Sequence, residues 1–260
     1  MTPDAIEEAA RLLWEAWREH RRLAPLTGEL RPQTVADGYA VQDAVIHRSG
    51  LAHVGWKIGA TNPVVQAQLG LPGPLSGRLL APFRHDSPAV LDATDFAMRA
   101  LEPEIAFRLA GDLPARARAY DRAEVAAAVG TVHPALEIPE SRWRDWAGAG
   151  APAFIADNAA AGWFVLGPAA HDGLARDLAA LEARLVVNGR VVETGDGAQV
   201  MGHPLEALTW LANHLSGRGP GLGGGALVTT GTCTPIATAA RGDSVVADFG
   251  DFGQAAARFT

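Results

Sequence analysis

Helical patterns fill the first third of this sequence and strand patterns fill the remainder, and this segregation constrains the fold more than any other feature. Residues 4–21 place apolar side chains at steps of three and four with charged residues between them, which predicts an amphipathic helix. A second helix is predicted over about 34–49, ending before Gly50. Capping residues, prolines and glycines predict further helices at 62–70, 121–130 and 204–215.

Strand patterns lie between and after these helices, at about 54–60, 100–109, 132–139, 162–167, 184–194, 226–231 and 244–259. The best marked is a hairpin in which Asn188-Gly189 joins two β-branched runs. Because helices come first and strands follow, the pattern predicts an α+β fold instead of an alternating doubly wound sheet. Residues 1–50 are interpreted as an N-terminal helical extension of the part that follows, 51–260.

The charge balance narrows the possible ligands. The formal net charge is −7 and the isoelectric point is near 5.6, so the chain has no electrostatic reason to bind nucleic acid or an anionic membrane. The one cysteine, Cys233, excludes an internal disulfide and is typical of a reducing compartment. With no secretory pattern at the start and no apolar run near the ~18 residues of a membrane span, we expect a cytoplasmic protein.

Three glutamates are the first candidates for chemistry. Glu102 and Glu104 are two residues apart in a strand pattern, so both side chains project from one face of the strand. Glu137 interrupts an apolar strand pattern in the same way. Three close carboxylates repel each other unless a cation holds them, and oxygen ligands suit Mg²⁺ or Mn²⁺ better than Zn²⁺. On spacing alone, the favoured interpretation of each is a solvated strand residue or a salt-bridge partner.

Other polar residues have two interpretations each. Lys57 lies in a glycine-flanked strand pattern and is either a ligand-facing cation or a lysine that extends to solvent. Asp157 and Asn158 are either active-site groups or a turn. The glycine-rich run 217–225 matches G-x-G-x-x-G but follows a helix and precedes a strand, so we expect a flexible loop there and no dinucleotide site.

Several segments together resemble one enzyme family, and they are Gly55–Gly59, Leu101–Phe107, Pro134–Ile138, Ile155–Ala159 and Ala247–Gly250. Over nearly the whole chain they are similar to the 2-keto-4-pentenoate hydratase and 4-oxalocrotonate decarboxylase family of the fumarylacetoacetate hydrolase superfamily. The resemblance implies a mixed β-sheet roll over 51–260 as the catalytic domain, preceded by the helical extension. It also implies Mg²⁺ or Mn²⁺ bound by Glu102, Glu104 and Glu137, a catalytic Lys57, and a homo-oligomer.

The chain departs from the family pattern where the reaction is selected. Hydratases of this kind carry an acidic residue at the position of Leu75, so a candidate general base is missing, and Asp157 is the nearest substitute. Alanines replace the serines that follow Asn158, and threonines replace a Ser-Gly segment near the end of the chain. The resemblance then implies a substrate pocket formed by Leu75, Asn158, Thr230, Thr232 and Thr234.

The expected activity is that of a metal-dependent lyase in aromatic catabolism, acting on a small 2-oxo acid or 2-hydroxydienoate through a metal-stabilised enolate. Hydration is the first expectation. The same chemistry also serves decarboxylation of a 2-oxo diacid and C–C hydrolysis of an acylpyruvate. A fourth interpretation is a catalytically silent subunit that pairs with a related active chain.

Overall fold

The helices begin and end close to the predicted positions. The computed structural model describes all residues, 1–260, and its α-helices are α1 (Pro3–Arg18), α2 (Val35–Ser49), α3 (Pro63–Leu69), α4 (Arg122–Ala127), α5 (Ala151–Ala156) and α6 (Pro204–Ser216). Thr2 caps α1, and Thr34 with Asp37 forms a capping box at the start of α2. The sequence pattern does not indicate α5, a six-residue helix that follows Gly150. None of the helices combines the length and apolar character needed to cross a membrane.

Strands make up most of the rest of the chain. They are β1 (His53–Gly59), β2 (Leu75–Leu80), β3 (Arg84–Asp86), β4 (Ala89–Leu91), β5 (Ala100–Leu109), β6 (Leu113–Pro114), β7 (Val129–Ile138), β8 (Trp163–Leu166), β9 (Glu182–Val187), β10 (Arg190–Asp196), β11 (Gly221–Leu222), β12 (Leu227–Thr232), β13 (Ala237–Thr238), β14 (Ser244–Asp248) and β15 (Gln254–Phe259). The prediction of one strand over 244–259 is wrong, because the Gly250–Phe252 turn divides it into the antiparallel pair β14 and β15.

The strands form two mixed sheets. The larger follows the order β2-β1-β12-β5-β7-β8-β3, with β13 added beside β5, and the smaller follows β10-β9-β14-β15-β4. The pairs β1/β12, β3/β8 and β4/β15 are parallel and the other pairs in these two sheets are antiparallel. This is the mixed-sheet α+β architecture that the sequence predicts, with the helical segment at its N-terminus.

The larger sheet curls into a roll. Its edge strands β2 and β3 are joined by only three residues, 81–83, so the two edges of the sheet must approach each other. Leu79 of β2 accordingly packs in one apolar cluster with Phe164 and Leu166 of β8. The members of this cluster, here called the apolar plug, are Leu79, Ala106, Ala135, Phe164, Leu166 and Leu227.

The two faces of the curled sheet have different partners. Alternate residues such as Leu101, Ile105 and Phe107 of β5 belong to the main hydrophobic core, which also contains Leu185 and Val245 of the smaller sheet. The residues between them, including the glutamates at 102 and 104, project from the concave face. The concave face therefore holds acidic residues at one end and the apolar plug next to them in the middle.

Helices α1 and α2 pack against the chain segment that contains α5. Leu13 and Val41 share a buried cluster with Trp143 and Ala153. Gly38 lies so close to α5 that a β-carbon there would come within 2.5 Å of the carbonyl oxygen of Pro152. The helical extension consequently closes one side of the roll, next to the acidic end.

Candidate metal and substrate site

Three glutamates meet on the concave face of the roll. Glu102 and Glu104 project from β5, and the strand register places Glu102 directly opposite Glu137 of β7. One carboxylate oxygen from each lies within 4.8 Å of the others. Glu104 and Glu137 are fully buried, whereas Glu102 is partly exposed. The sheet therefore brings together the three carboxylates that the sequence singles out.

The oxygens of the buried carboxylates can accept more hydrogen bonds than the surrounding protein donates to them. One Glu104 oxygen, Oε2, accepts hydrogen bonds from the Thr229 hydroxyl and from the backbone N–H of Gly231, the latter at 2.9 Å. The other Glu104 oxygen and both oxygens of Glu137 are buried and accept no hydrogen bond of good geometry, although Oε1 of Glu137 lies 2.8 Å from the Lys57 ammonium. A buried carboxylate oxygen without a donor carries a large desolvation cost. These oxygens fit a bound cation, which would take the place of the missing donors.

Lys57 lies beside the carboxylates. It is the only lysine in the chain, since the other 21 basic residues are arginines. Its side chain is buried and Nζ is 2.8 Å from Oε1 of Glu137. Burial alone would lower the pKa of Lys57, but the nearby carboxylates of Glu137, Glu102 and Glu104 outweigh burial and raise it. Lys57 is therefore positively charged at neutral pH.

One ammonium does not neutralise three buried carboxylates. Withdrawal from water, together with the negative charge of Glu137, raises the pKa of Glu102 to about 7 even though Lys57 opposes the shift. The pKa of Glu104 is raised well above 4.5 by burial and by both neighbouring glutamates. The site in this form thus binds protons near neutral pH, and a divalent cation would compete for the same oxygens.

A cavity of about 680 Å³ opens next to this charge cluster, and we call it the Lys57 cavity. Lys57 is the only cation among its lining residues and Glu102 is the only carboxylate. Most of its surface is apolar. The apolar side chains that line it away from the charges include Val65, Leu69, Met98, Trp146, Phe154, Pro235 and Ile236.

The structure places two of the expected pocket threonines in the cavity and leaves other residues outside it. Thr232 and Thr234 line the cavity. Thr230 faces away and donates a hydrogen bond to the carbonyl oxygen of Ile105. Asn158 is buried and clamps the backbone of Arg78 through hydrogen bonds of 2.8 and 2.9 Å. The polar groups of Thr230 and Asn158 are already bonded to the backbone, and their expected contact with substrate stays a prediction.

Leu75 also fails to reach the cavity. It is fully buried and packs against Tyr39, Ile155 and Ala159, so the helical extension covers it. Its Cδ1 lies 2.9 Å from where a β-carbon on Gly59 would stand, which puts it immediately behind the cavity wall. Leu75 therefore lies behind the wall and is not one of the lining residues, and its expected role in substrate binding stays a prediction.

The catalytic role expected for Asp157 disagrees with its surroundings. The Asp157 carboxylate forms an ion pair with the Arg142 guanidinium, and it accepts hydrogen bonds from the Ser141 hydroxyl and the backbone N–H of Arg142. Burial nevertheless raises its pKa against these three interactions. Because both oxygens are engaged and the residue does not line the cavity, Asp157 holds the segment 141–142 against α5.

Some functional residues are missed by sequence reasoning. Thr229, not Thr230, projects towards the glutamates, and a register shift between Thr229 and Thr232 lets Thr232 line the cavity as well. Gly231 lies at this shift with φ of +116°, and a β-carbon there would come within 2.3 Å of the Thr61 hydroxyl. The glycine between the threonines was the available signal, since glycine inside a strand often marks a bulge.

Comparison with known proteins identifies the family. A family model described as fumarylacetoacetate (FAA) hydrolase C-terminal matches residues 84–260, which is more than half of the chain. The chain belongs to the fumarylacetoacetate hydrolase family. A 2-hydroxyhexa-2,4-dienoate hydratase of Comamonas testosteroni is 36% identical over 243 residues, covering 92% of this chain and 91% of the relative. A 4-oxalocrotonate decarboxylase of Pseudomonas putida is 31% identical over 237 residues, covering 90% and 89%.

Solved structures of a related decarboxylase have the same fold as this member of the fumarylacetoacetate hydrolase family. The 4-oxalocrotonate decarboxylase from Pseudomonas putida G7, complexed with magnesium and adipate, superposes with a TM-score of 0.93. The two chains are 30% identical, and the match covers 100% of this chain and 99% of the other. The same decarboxylase complexed with calcium and acetate gives a TM-score of 0.92. The roll and its helical extension are therefore shared along the whole length.

The raised pKa of Glu102 predicts how the stability of the metal-free protein depends on pH. Between pH 4.5 and about 7 the unfolded chain ionises Glu102 while the folded chain does not, so stability falls as pH rises through that window. The loss is on the order of 3 kcal/mol for a shift of this size. Urea unfolding of the metal-free protein and of its Glu102→Gln variant, at several pH values, measures the difference.

The Glu102→Gln variant is needed because buried histidines change the pH dependence of stability in the opposite direction. Burial lowers the pKa of His214 to about 4, and the unfolded chain protonates it near 6.5, so its contribution makes stability rise with pH. This contribution cancels when wild type and Glu102→Gln are subtracted. Saturating Mg²⁺ should abolish the loss of stability that the wild type shows, relative to Glu102→Gln, as the pH rises. A difference between the two proteins that does not change with pH would contradict the assignment.

Proposed function

We propose that this chain is a divalent-metal-dependent lyase that adds water to a short 2-hydroxydienoate with an uncharged tail. The observation that carries the proposal is the combination of three carboxylates and one lysine at one end of a cavity with apolar walls. Similarity to a 2-hydroxyhexa-2,4-dienoate hydratase over 92% of the chain supports it. So does similarity to two proteins named 2-keto-4-pentenoate hydratase, from Paraburkholderia xenovorans and Pseudomonas putida, each 36% identical.

Glu102, Glu104 and Glu137 are the proposed ligands of the metal. The donor set is all oxygen and carries three negative charges, which suits Mg²⁺ or Mn²⁺. The buried oxygens without hydrogen-bond donors are the structural sign that a cation belongs there. When bound, the metal supplies Lewis-acid stabilisation of negative charge on the 2-oxo or 2-hydroxy oxygen of the substrate.

Lys57 is the proposed second positive group. Its ammonium lines the cavity and is held by Glu137, so it is fixed in place before substrate arrives. A fixed charge of this kind stabilises charge that develops on substrate oxygens without reorganisation of solvent. A compact ammonium also fits between carboxylates where a planar guanidinium requires more space, which explains a lysine here in a chain that otherwise uses arginine.

The far wall of the cavity favours an uncharged substrate tail. A second carboxylate, as in a 2-oxo diacid, would lie against apolar side chains with no lining cation available besides Lys57. An unpaired carboxylate placed against such a wall loses hydration without compensation. An alkyl tail gains about 0.8 kcal/mol for each CH₂ that it buries. The wall therefore distinguishes a dienoate with a methyl tail from a diacid.

The group that positions water must be sought among the cavity residues. Since Leu75 and Asp157 do not line the cavity, the remaining candidates are Glu102 and the uncharged side chains of Gln68, Gln199, Thr232 and Thr234. Amides and hydroxyls can orient a water molecule by hydrogen bonding. Because Glu102 is already a proposed ligand of the metal, we assign the water-orienting role to these amides and hydroxyls.

Decarboxylation is the second candidate. It is favoured by the apolar residue at position 75 and by the TM-score of 0.93 with a 4-oxalocrotonate decarboxylase. Loss of CO₂ requires an electron sink and a later proton donor but no activated water. The silent-subunit interpretation is disfavoured because Lys57 and all three glutamates are present and converge. The homo-oligomer and the cytoplasmic location expected from the sequence stay predictions.

The direct test compares hydration and decarboxylation by the Mg²⁺-loaded protein. We expect 2-hydroxyhexa-2,4-dienoate to lose its ultraviolet absorbance faster than an unsaturated 2-oxo diacid releases CO₂. Lys57→Met should lower kcat/KM by about 10²–10³, since it removes one preorganised charge. Arg184→Met, which alters an exposed cation paired with Glu182, is the matched control and should leave the rate unchanged. CO₂ release without hydration would establish the second candidate instead.

The apolar wall generates a separate prediction about specificity. Ile236 lines the cavity but is half exposed, so Ile236→Arg can be accommodated and adds a cation at the wall. The variant should lose activity on the methyl-tailed dienoate and gain binding of the diacid. Val191→Arg, at an exposed position on the other sheet, is the control. Equal use of diacid and dienoate by the wild type would show that the wall does not select the tail.

A further inference from the structure

A second concavity lies at the opposite end of the roll. It has a volume of about 820 Å³, and its lining includes Val54 and Leu227, which pack in or against the apolar plug. On β5, Arg108 lines this concavity while Glu104 lies four residues away at the metal site, a separation of roughly 13 Å along a strand. We call this concavity the arginine groove, after its lining residues Arg78, Arg84, Arg108 and Arg218.

The groove concentrates positive charge on a protein that is acidic overall. Four arginines line it and Asp43 is the only carboxylate among the lining residues, whereas the whole chain carries a net charge of −7. Asp43 pairs with Arg78 at 2.6 Å and with Arg218 at 3.3 Å. Such segregation of charge is unfavourable without a counter-ion and favours an anionic ligand.

Two of the arginines, Arg84 and Arg108, have no carboxylate partner among the lining residues of the groove. Arg108 has no carboxylate partner and donates only to the carbonyl oxygen of Gly225, at 3.4 Å. Both terminal nitrogens of Arg84 donate to Asp86, at 3.0 and 2.5 Å, and Asp86 lies outside the groove. A guanidinium without a carboxylate partner, such as that of Arg108, can bind planar or tetrahedral oxyanions through paired N–H donors.

The other two arginines are held rigidly on aromatic rings. The Arg78 guanidinium lies 4.8 Å from the ring centroid of Trp56, and that of Arg218 lies 3.7 Å from the ring centroid of Tyr39. Stacking restrains both side chains before any ligand binds, which lowers the entropy cost of binding.

The glycine-rich loop keeps the groove open. Gly219 and Gly223 line it, have no left-handed φ, and have no atom within 4 Å of the position that a β-carbon would occupy. Neither backbone conformation nor crowding therefore requires glycine at these two positions. What their missing side chains provide is space beside the arginines.

We propose that the arginine groove is a binding site for a small anion with two or more negative charges, either a phosphate group or a dicarboxylate. The site is separate from the Lys57 cavity, because the apolar plug fills the roll between them. It does not depend on which reaction the Lys57 cavity performs.

Isothermal titration calorimetry of the Mg²⁺-loaded protein tests the proposal with inorganic phosphate and with succinate. Ionic strength is held constant with sodium chloride, so that chloride serves as the monovalent reference. We expect saturable binding of at least one dianion. The double variant Arg84→Gln, Arg108→Gln should weaken it about tenfold or more, because it removes two positive charges from the groove. Gly223→Glu should weaken it similarly by placing a carboxylate in the open groove.

Two controls separate this site from others. Lys57→Met should leave phosphate binding unchanged, and Arg184→Gln removes an exposed arginine outside the groove and should also have no effect. Binding of phosphate alone assigns the groove to phosphate groups, and binding of succinate alone assigns it to dicarboxylates. Absence of saturable binding of both anions, or binding that survives both groove variants, would overturn the proposal.

Discussion

The buried repulsion among Glu102, Glu104 and Glu137 is the constraint on which the rest of the structure depends. On a flat sheet, Lys57 on β1 and Glu137 on β7 would be separated by three strand spacings, roughly 14 Å. The curl of the sheet closes that gap and lets the lysine contact the glutamate at 2.8 Å. Since one ammonium leaves two of the three charges uncompensated, the fold is complete only with a cation or with bound protons.

The apolar plug explains how one sheet can hold two sites of opposite charge. It fills the middle of the roll, so the glutamates at one end and the arginines at the other do not neutralise each other. Low-polarity packing between the ends also keeps water away from the inner side of the carboxylates, which raises the pKa values of Glu102 and Glu104. The apolar plug thus lies between the three carboxylates that would bind a metal and the arginine groove, which is open at the other end of the roll.

Much of the fold and the charged half of the site follow from the sequence, because local periodicity determines them. Strand alternation alone places Glu102 and Glu104 on one face, and the observed register confirms that they share it with Glu137. The short strands β2 to β4 could not be predicted, since Pro72, Pro74, Pro82 and Pro88 obscure any alternation there. The positions of the uncharged residues and of Asp157 depend on tertiary contacts that local periodicity does not show. Because of the bulge at Gly231, Thr229 projects towards the glutamates where Thr230 was expected, and Asp157 forms an ion pair with Arg142.

Calorimetric titration of the metal-free protein with Mg²⁺ tests the central claim most directly, using Glu104→Gln beside the wild type. Glu104→Gln keeps the shape of the side chain and its contacts with Thr229 and Gly231 while removing one charge from the site. Glu182→Gln, on an exposed carboxylate, is the control. We expect one saturable site in the wild type and the control, and affinity at least about tenfold weaker in Glu104→Gln. Equal affinity in all three proteins, or no Mg²⁺ binding by the wild type, would contradict it.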